Sequence, residues 1–176
     1  MSTIKEFKAV FSGGGARPNQ FRVYGNFPTG TSGVGDNKRT SFLVKGASLP
    51  PAQVGEITVP YRGRQLKLAG DRTFDAWTIT IFNDENFELR NAFESWQNKI
   101  NSFEGNVSAA NVTDYFQDWK VEQLSRNGKV IASYDIVDAF PSMVAEIPLS
   151  FNDVDVIEEF SVTMQYQYWR HSGVTT

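Results

Sequence analysis

Cysteine is absent from this chain, and histidine occurs once, as His171. The first absence excludes disulfides, and the two together leave too few ligands for a zinc or haem site, so no metal or cofactor is expected. No apolar run approaches the ~20 residues that cross a bilayer as a helix. The opening Met1-Ser-Thr-Ile-Lys-Glu-Phe-Lys8 carries charges where a secretory signal needs an apolar stretch, which predicts a protein that stays in the cytoplasm of the cell that makes it. Catalytic groupings are equally scarce. A serine triad would have to use His171, near the C-terminus. Asp71, Asp75 and Glu85 read as turn and strand-entry residues, not as a carboxylate pair across a cleft. Gly13-Gly14-Gly15 runs into Ala16-Arg17-Pro18 and not into the Lys-Ser or Lys-Thr that opens a phosphate-binding helix. These gaps point away from an enzyme.

Basic residues are missing from one long segment. Residues 130–169 hold seven acids (Asp135, Asp138, Glu146, Asp153, Asp155, Glu158 and Glu159) and no Lys or Arg, whereas residues 1–74 hold eleven Lys or Arg against four acids, a net of +7. Surfaces of opposite sign can meet between neighbouring copies, a head-to-tail contact that builds rings or filaments. The same segments can also lie side by side and neutralise each other within one chain. Charge alone leaves both readings open.

Aromatic residues are plentiful: 14 Phe, 6 Tyr and 4 Trp in 176 residues that are 40% hydrophobic. That composition suits a single strand-rich domain over 1–176. Its hub is Leu66 to Ile100. Trp77, Ile79 and Ile81 alternate with Ala76, Thr78 and Thr80, the period of a half-buried strand. Leu89, Phe93, Trp96 and Ile100 then recur at helical spacing, giving a helix over 86–100 with Asn83 or Asp84 placed to cap it. Trp77, Ile79, Ile81, Phe93 and Trp96 form the expected core hub.

Around this hub the periods predict further strands. Gln20–Asn26 is the first, and Ser41–Ala47 the second, with Phe42 and Val44 inward. The Gly-, Ser- and Asn-rich 28–40 between them reads as a flexible loop. Two prolines after Leu49 exclude a helix or central strand there. Glu56–Tyr61 and Arg62–Leu68 make a hairpin turning near Gly63. Tyr115–Leu124 and Val130–Val137 make another, whose Asn127-Gly128 predicts a type I′ turn. Ala139–Val144 reads as a corner, Ala145–Phe151 as a short strand and Asn152–Glu159 as an acidic loop. Phe160, Val162, Met164, Tyr166 and Tyr168 imply one continuous strand of about 30 Å. The predicted fold is mainly β, an antiparallel β-sandwich or barrel of about seven or eight strands with one packed α-helix.

The segment Gly70-Asp-Arg-Thr-Phe-Asp-Ala-Trp-Thr-Ile-Thr-Ile-Phe-Asn-Asp-Glu85, followed by the helix carrying Phe93 and Trp96, resembles the tail tube proteins of contractile-tailed, T-even-like bacteriophages, relatives of the type VI secretion tube family. The likeness extends from Ala16-Arg-Pro-Asn-Gln-Phe21, through Leu49-Pro50, Val54-Gly-Glu-Ile-Thr-Val-Pro60 and Arg62-Gly-Arg64, to the closing Tyr168-Trp169. The resemblance implies a structural virion protein, made in the host bacterial cytoplasm, whose hexameric rings stack into a tube that conducts DNA without binding it specifically. It implies partners in the tail sheath, baseplate and tail terminator. It also implies an extended inter-subunit arm over 47–74 that reaches the adjacent ring, with Leu49, Pro50, Val59, Pro60, Arg62, Arg64, Lys67, Asp71 and Arg72 as its contact residues. The 28–40 loop looks longer than is usual in the family and is expected to project from the particle.

A channel that passes DNA should expose few Lys or Arg, since these would hold phosphates. The base-free Val130–Trp169 is therefore the candidate lining, and its seven acids the candidate acidic channel or complementary surface. Two other readings stand beside this one. The first is the tube of a type VI secretion system or phage-tail-like bacteriocin. The second is a monomeric barrel that binds single-stranded nucleic acid through the basic arm, although Tyr61 and Phe74 alone make a poor stacking platform.

Overall fold

The computed structural model describes residues 3–11, 14–31, 37–108 and 111–173, with backbone only for 37–39. In chain order its elements are α1 (Ile4–Val10), β1 (Phe21–Gly25), α2 (Asn37–Leu43), β2 (Val44–Ala47), β3 (Gln53–Tyr61), β4 (Arg64–Thr73), β5 (Trp77–Phe82), α3 (Glu88–Ile100), β6 (Gln117–Leu124), β7 (Val130–Val144), β8 (Glu159–Gln165) and β9 (Tyr168–Ser172). A single 3-10 turn covers Val112–Asp114. The fold is mainly β with every pairing antiparallel, and nine strands replace the seven or eight expected.

Strand β7 organises the body. Its residues from Val130 to Ala139 pair with β6, and Ser133–Val137 also pair with β9; from Phe140 onward it pairs with β8 instead. The switch falls at Asp138, which has φ 54° and donates its amide to Asp118 Oδ1 at 3.1 Å. A strand that bends from one sheet into another makes the corner of a sandwich. One layer is therefore β1-β6-β7-β9, and the other is the end of β7 followed by β8, β5 and β2. Strands β3 and β4 pair only with each other.

Between the layers the aromatic residues interlock. Trp77, Phe93, Trp96, Trp119 and Phe160 are fully buried. Phe27 meets Phe93, Trp96 and Trp119 edge-on at ring distances of 5.0, 5.6 and 5.6 Å, the geometry that the charge distribution of aromatic rings favours. Helix α3 inserts Leu89, Ala92, Phe93 and Trp96 into this core. Its opposite face is not idle, because Arg90 donates to Glu94 and to the Ala145 carbonyl and lies over the Phe160 ring. Asp84 accepts from the Glu88 amide at 3.1 Å, while the residue before the helix, Phe87, takes a left-handed φ of 54°.

Several local expectations are corrected. The helix begins at Glu88, because the chain spends Glu85 and Asn86 in a turn. Part of 28–40 is helical: α2 starts at Asn37, so Ser41–Leu43 are helix and Phe42 points to solvent. This short helix rests on β1 with Thr40 buried and Leu43 against the core, so packing and not propensity holds it. Residues 32–36 of that loop lie outside the described residues. At the β6–β7 hairpin only Gly128 has positive φ, and its amide donates to Ser125 O at 2.9 Å, a type I turn closed by a glycine bulge. The two positive φ values of a type I′ turn occur instead at Arg62 and Gly63.

Ala139–Val144 is not a break but the end of β7, and 145–151 forms no strand. The predicted 30 Å terminal strand is cut at Tyr166–Gln167 into β8 and β9. Buried positions run Phe160, Val162, Met164 and Tyr166, then slip one residue to Trp169, which leaves Tyr168 exposed. β7 slips at the neighbouring place, from Ile136 to Ala139, so both strands turn the corner together. Such a slip exchanges the two faces of a strand.

Candidate assembly surfaces

The outward face of the second layer is nearly free of charge. Thr78 pairs with Thr163 and Thr80 with Ser161 across β5 and β8, with hydroxyls 3.3 and 3.4 Å apart. Ser142 donates to the Thr163 carbonyl, and Met143 stands exposed opposite Thr163. One base reaches this face: Lys45, which is ion-paired with Glu159 and lies over the Phe82 ring. The alternation had shown these hydroxyl residues only as the polar half of a strand. That none of the four is ionisable was the available signal for a special surface.

The first layer presents the opposite chemistry. Arg22 meets Glu122 at 3.2 Å, and Asp135 lies between Lys120 at 3.4 Å and Arg170 at 3.3 Å, with Ser172 donating at 2.7 Å. Burial alone would raise the Asp135 carboxyl. The Ser172 hydroxyl and the two cations outweigh it and hold the pKa below the ordinary value.

Both edges of the hydroxyl layer are unpaired among the described residues. β2 pairs with β5 alone, and Phe140–Val144 pair with β8 alone, since the β6 ladder stops at Ala139. Unpaired edges invite another chain.

The β3–β4 hairpin stands off this sandwich. Ile57 faces Leu68, and Val59 faces Leu66, on one side, with Tyr61 beyond them; each is at least 41% exposed. The other side is polar, where Glu56 bridges to Lys67 at 3.0 Å. Nine residues of β3 extend about 30 Å at ~3.3 Å per residue. Arg62 and Arg64 sit at the tip, Arg62 over the Tyr61 ring at 5.4 Å; Val59 and Pro60 precede it, and Lys67, Asp71 and Arg72 follow along β4.

The root of this arm is fixed where the sequence gave no sign of it. Trp77 Nε1 donates to Ser48 O at 2.7 Å, and Trp169 Nε1 and the Tyr166 hydroxyl donate to Pro51 O at 2.9 and 3.5 Å. Pro50 is buried beside them, whereas Leu49 is exposed. Burial, together with the Asp75 carboxylate, raises the Tyr166 phenol above its usual pKa and keeps it a donor. Indole N–H groups anchoring a proline-rich bend are legible only once the strands are folded together.

The seven acids do not form one surface. Asp135 belongs to the ionic layer, Asp138 to the β7 corner, and Glu159 to the pair with Lys45. Glu158 accepts from Asn83 at 2.9 Å. Glu146, Asp153 and Asp155 are exposed on the connection 145–158. Trp77, Ile79, Ile81, Phe93 and Trp96 are all fully buried. Among the described residues no group of His, Cys, Asp or Glu could hold a metal ion, and no helix is long and apolar enough to cross a membrane.

Unpaired edges, a standing hairpin with one apolar face and a hydroxyl-coated sheet define a β-sheet subunit shaped for contact with other chains. The profile described as "Phage tail tube protein" matches residues 16–172, and the chain belongs to that family. It is 33% identical over 168 residues to the tail tube protein of Serratia phage KSP90, covering 94% of this chain and 95% of that one. With tail tube protein gp19 of Enterobacteria phage T4 it shares 34% identity over 164 residues, covering 92% and 95%. The fold also matches a chain in the baseplate of the anti-feeding prophage, with a TM-score of 0.64 at 13% identity over 100% of both chains. The family is structural, a component of the contractile phage tail, and the protein is not an enzyme.

Proposed function

We propose that copies of this chain join edge to edge through the hydroxyl layer, closing a ring whose inner wall is a continuous β-sheet, and that stacked rings form the channel through which phage DNA leaves the particle. The carrying observation is the four-stranded layer with two free edges. Successive strands in it are antiparallel, so β2 runs opposite to the end of β7. When β2 of one copy meets β7 of the next in a rotationally symmetric ring, the antiparallel alternation continues without a fault. An odd number of strands would force a parallel junction. Closure also removes the edges that otherwise aggregate.

The hydroxyl face then becomes the wall. β8 and the end of β7 come from the base-free segment expected to line the channel, and β5 and β2 complete it. Lys45, the cation on this face, is neutralised by Glu159. A wall of Thr and Ser offers DNA phosphates no fixed cation. The hexameric ring and the sheath, baseplate and terminator partners follow from the family resemblance, and the arm with its exposed apolar side is the element placed to hold one ring on the next.

Electron microscopy of the purified protein across a concentration series, with sedimentation beside it, tests this reading. Rods with a central hole, or rings seen end-on, are expected, and their symmetry gives the ring number directly. A monomer at every concentration, even with isolated baseplates added as a template, would overturn it.

A further inference from the structure

The two ends of the hydroxyl layer differ in charge, and strand direction fixes which end is which. β2 ends at Ala47 and β5 begins at Trp77, so the arm leaves and re-enters at the end where β8 reaches Gln165. At the opposite end, Val144 of β7 is joined to Glu159 of β8 by the connection 145–158. Arm and connection are therefore opposite poles of one sheet. The arm tip from Pro60 to Leu68 contains Arg62, Arg64 and Lys67 and no acid; the connection contains Glu146, Asp153, Asp155 and Glu158 and no Lys or Arg.

Both poles also expose apolar side chains that nothing in the chain covers. The arm offers Ile57, Val59, Leu66 and Leu68. The connection offers Leu149, Phe151 (fully exposed), Val154, Val156 and Ile157, several of them around a cavity of about 860 Å³ open to solvent. Apolar surface exposed on this scale in a soluble chain marks a contact site.

We infer that the acidic, apolar connection 145–158 is the receptor for the arm of a second copy in the next ring, so that the tube grows by a polar, head-to-tail contact along its axis. The inference rests on the tube reading and adds the receptor and the direction of stacking. Apolar burial holds the contact, and the charges set its polarity: arm against arm, or connection against connection, would place like charges together. A heterologous contact of this kind propagates without limit, as a tube requires.

Charge reversal at each pole tests the receptor. One variant carries Arg62→Asp and Arg64→Glu; aspartate is chosen because position 62 is left-handed. A second carries Glu146→Lys and Asp153→Lys, and a third carries all four changes. Circular dichroism should match wild type for all three, because every replaced side chain is exposed. Each single-pole variant is expected to form rings but to need at least tenfold more protein to form tubes, and the combined variant should regain wild-type tube formation. If both single-pole variants stack as wild type does at low salt, the receptor is wrong while the tube stands. If reversal abolishes rings as well as stacks and the combined variant restores neither, the poles do not pair axially. If wild type forms neither rings nor rods, the tube reading fails and this inference with it.

Discussion

Trp169 links the packing of the sandwich to the position of the arm. Its ring lies against Tyr134 at 5.4 Å while its N–H holds Pro51. Trp169→Phe keeps the ring and removes the donor, so a loss of about 1 kcal/mol is expected in chemical unfolding. Tube formation should suffer more than stability, because the root that aims the arm is loosened. Gly25 is a stricter case. A Cβ there would stand 2.4 Å from the Trp119 ring, which is buried and has nowhere to retreat. Gly25→Ala should cost about 1–3 kcal/mol or more by overpacking, measured as a lower urea midpoint. Asp135 sets a pH dependence. Its folded pKa lies below the unfolded one, so its ion pairs stabilise the fold above the ordinary carboxylate value near ~4. That contribution is lost as pH falls further, through the folded value. In Asp135→Asn the acid-side loss of stability should be shallower, with about 1 kcal/mol already missing at neutral pH because its partners are largely exposed.

Elements differ in how far their sequences revealed them. β5 and α3 were legible because each keeps one period along its whole length, with Trp77, Ile79 and Ile81 at every second position and Leu89, Phe93 and Trp96 on one helical stripe. Trp96→Ala should accordingly cost about 3–5 kcal/mol in thermal or urea unfolding, the range for a fully buried aromatic residue. β7 and the β8–β9 pair were misread at one shared place. The chain changes sheet there, so Asp138 and Gln167 break the alternation for a reason that lies in the partner strand. Turn chemistry misled in the same way: Asn127-Gly128 had the composition of a type I′ turn, yet Arg62-Gly63 adopts it. The arm was legible as a hairpin, but its Trp77, Tyr166 and Trp169 anchors come from three distant positions. Because β3 and β4 pair only with each other, and Gln53 lies opposite Thr73, replacing 53–73 by two glycines should leave the body folded. Its melting temperature should fall by only a few degrees, and electron microscopy should show rings without stacked tubes.

At the scale of the whole molecule, the sandwich separates hydroxyls on one outer face from ion pairs on the other. If the hydroxyl face is a channel wall, adding a cation to it should change how the tube treats DNA. Thr163→Lys tubes are expected to retain short duplex DNA at low salt and release it as salt rises, whereas wild-type tubes should retain little; co-sedimentation distinguishes the two. Strand β7 has a mechanical consequence as well. Its fifteen residues run without interruption from the ionic layer into the hydroxyl layer. A shear force applied to the outer surface thus reaches the inner wall along a covalent backbone clamped by ladder hydrogen bonds on both sides of the bend, not across a slip plane of side chains. Two stacked sheets joined only by a packed core can slide over each other; two sheets cut from one strand must deform together, and the wall inherits the stiffness of the peptide chain.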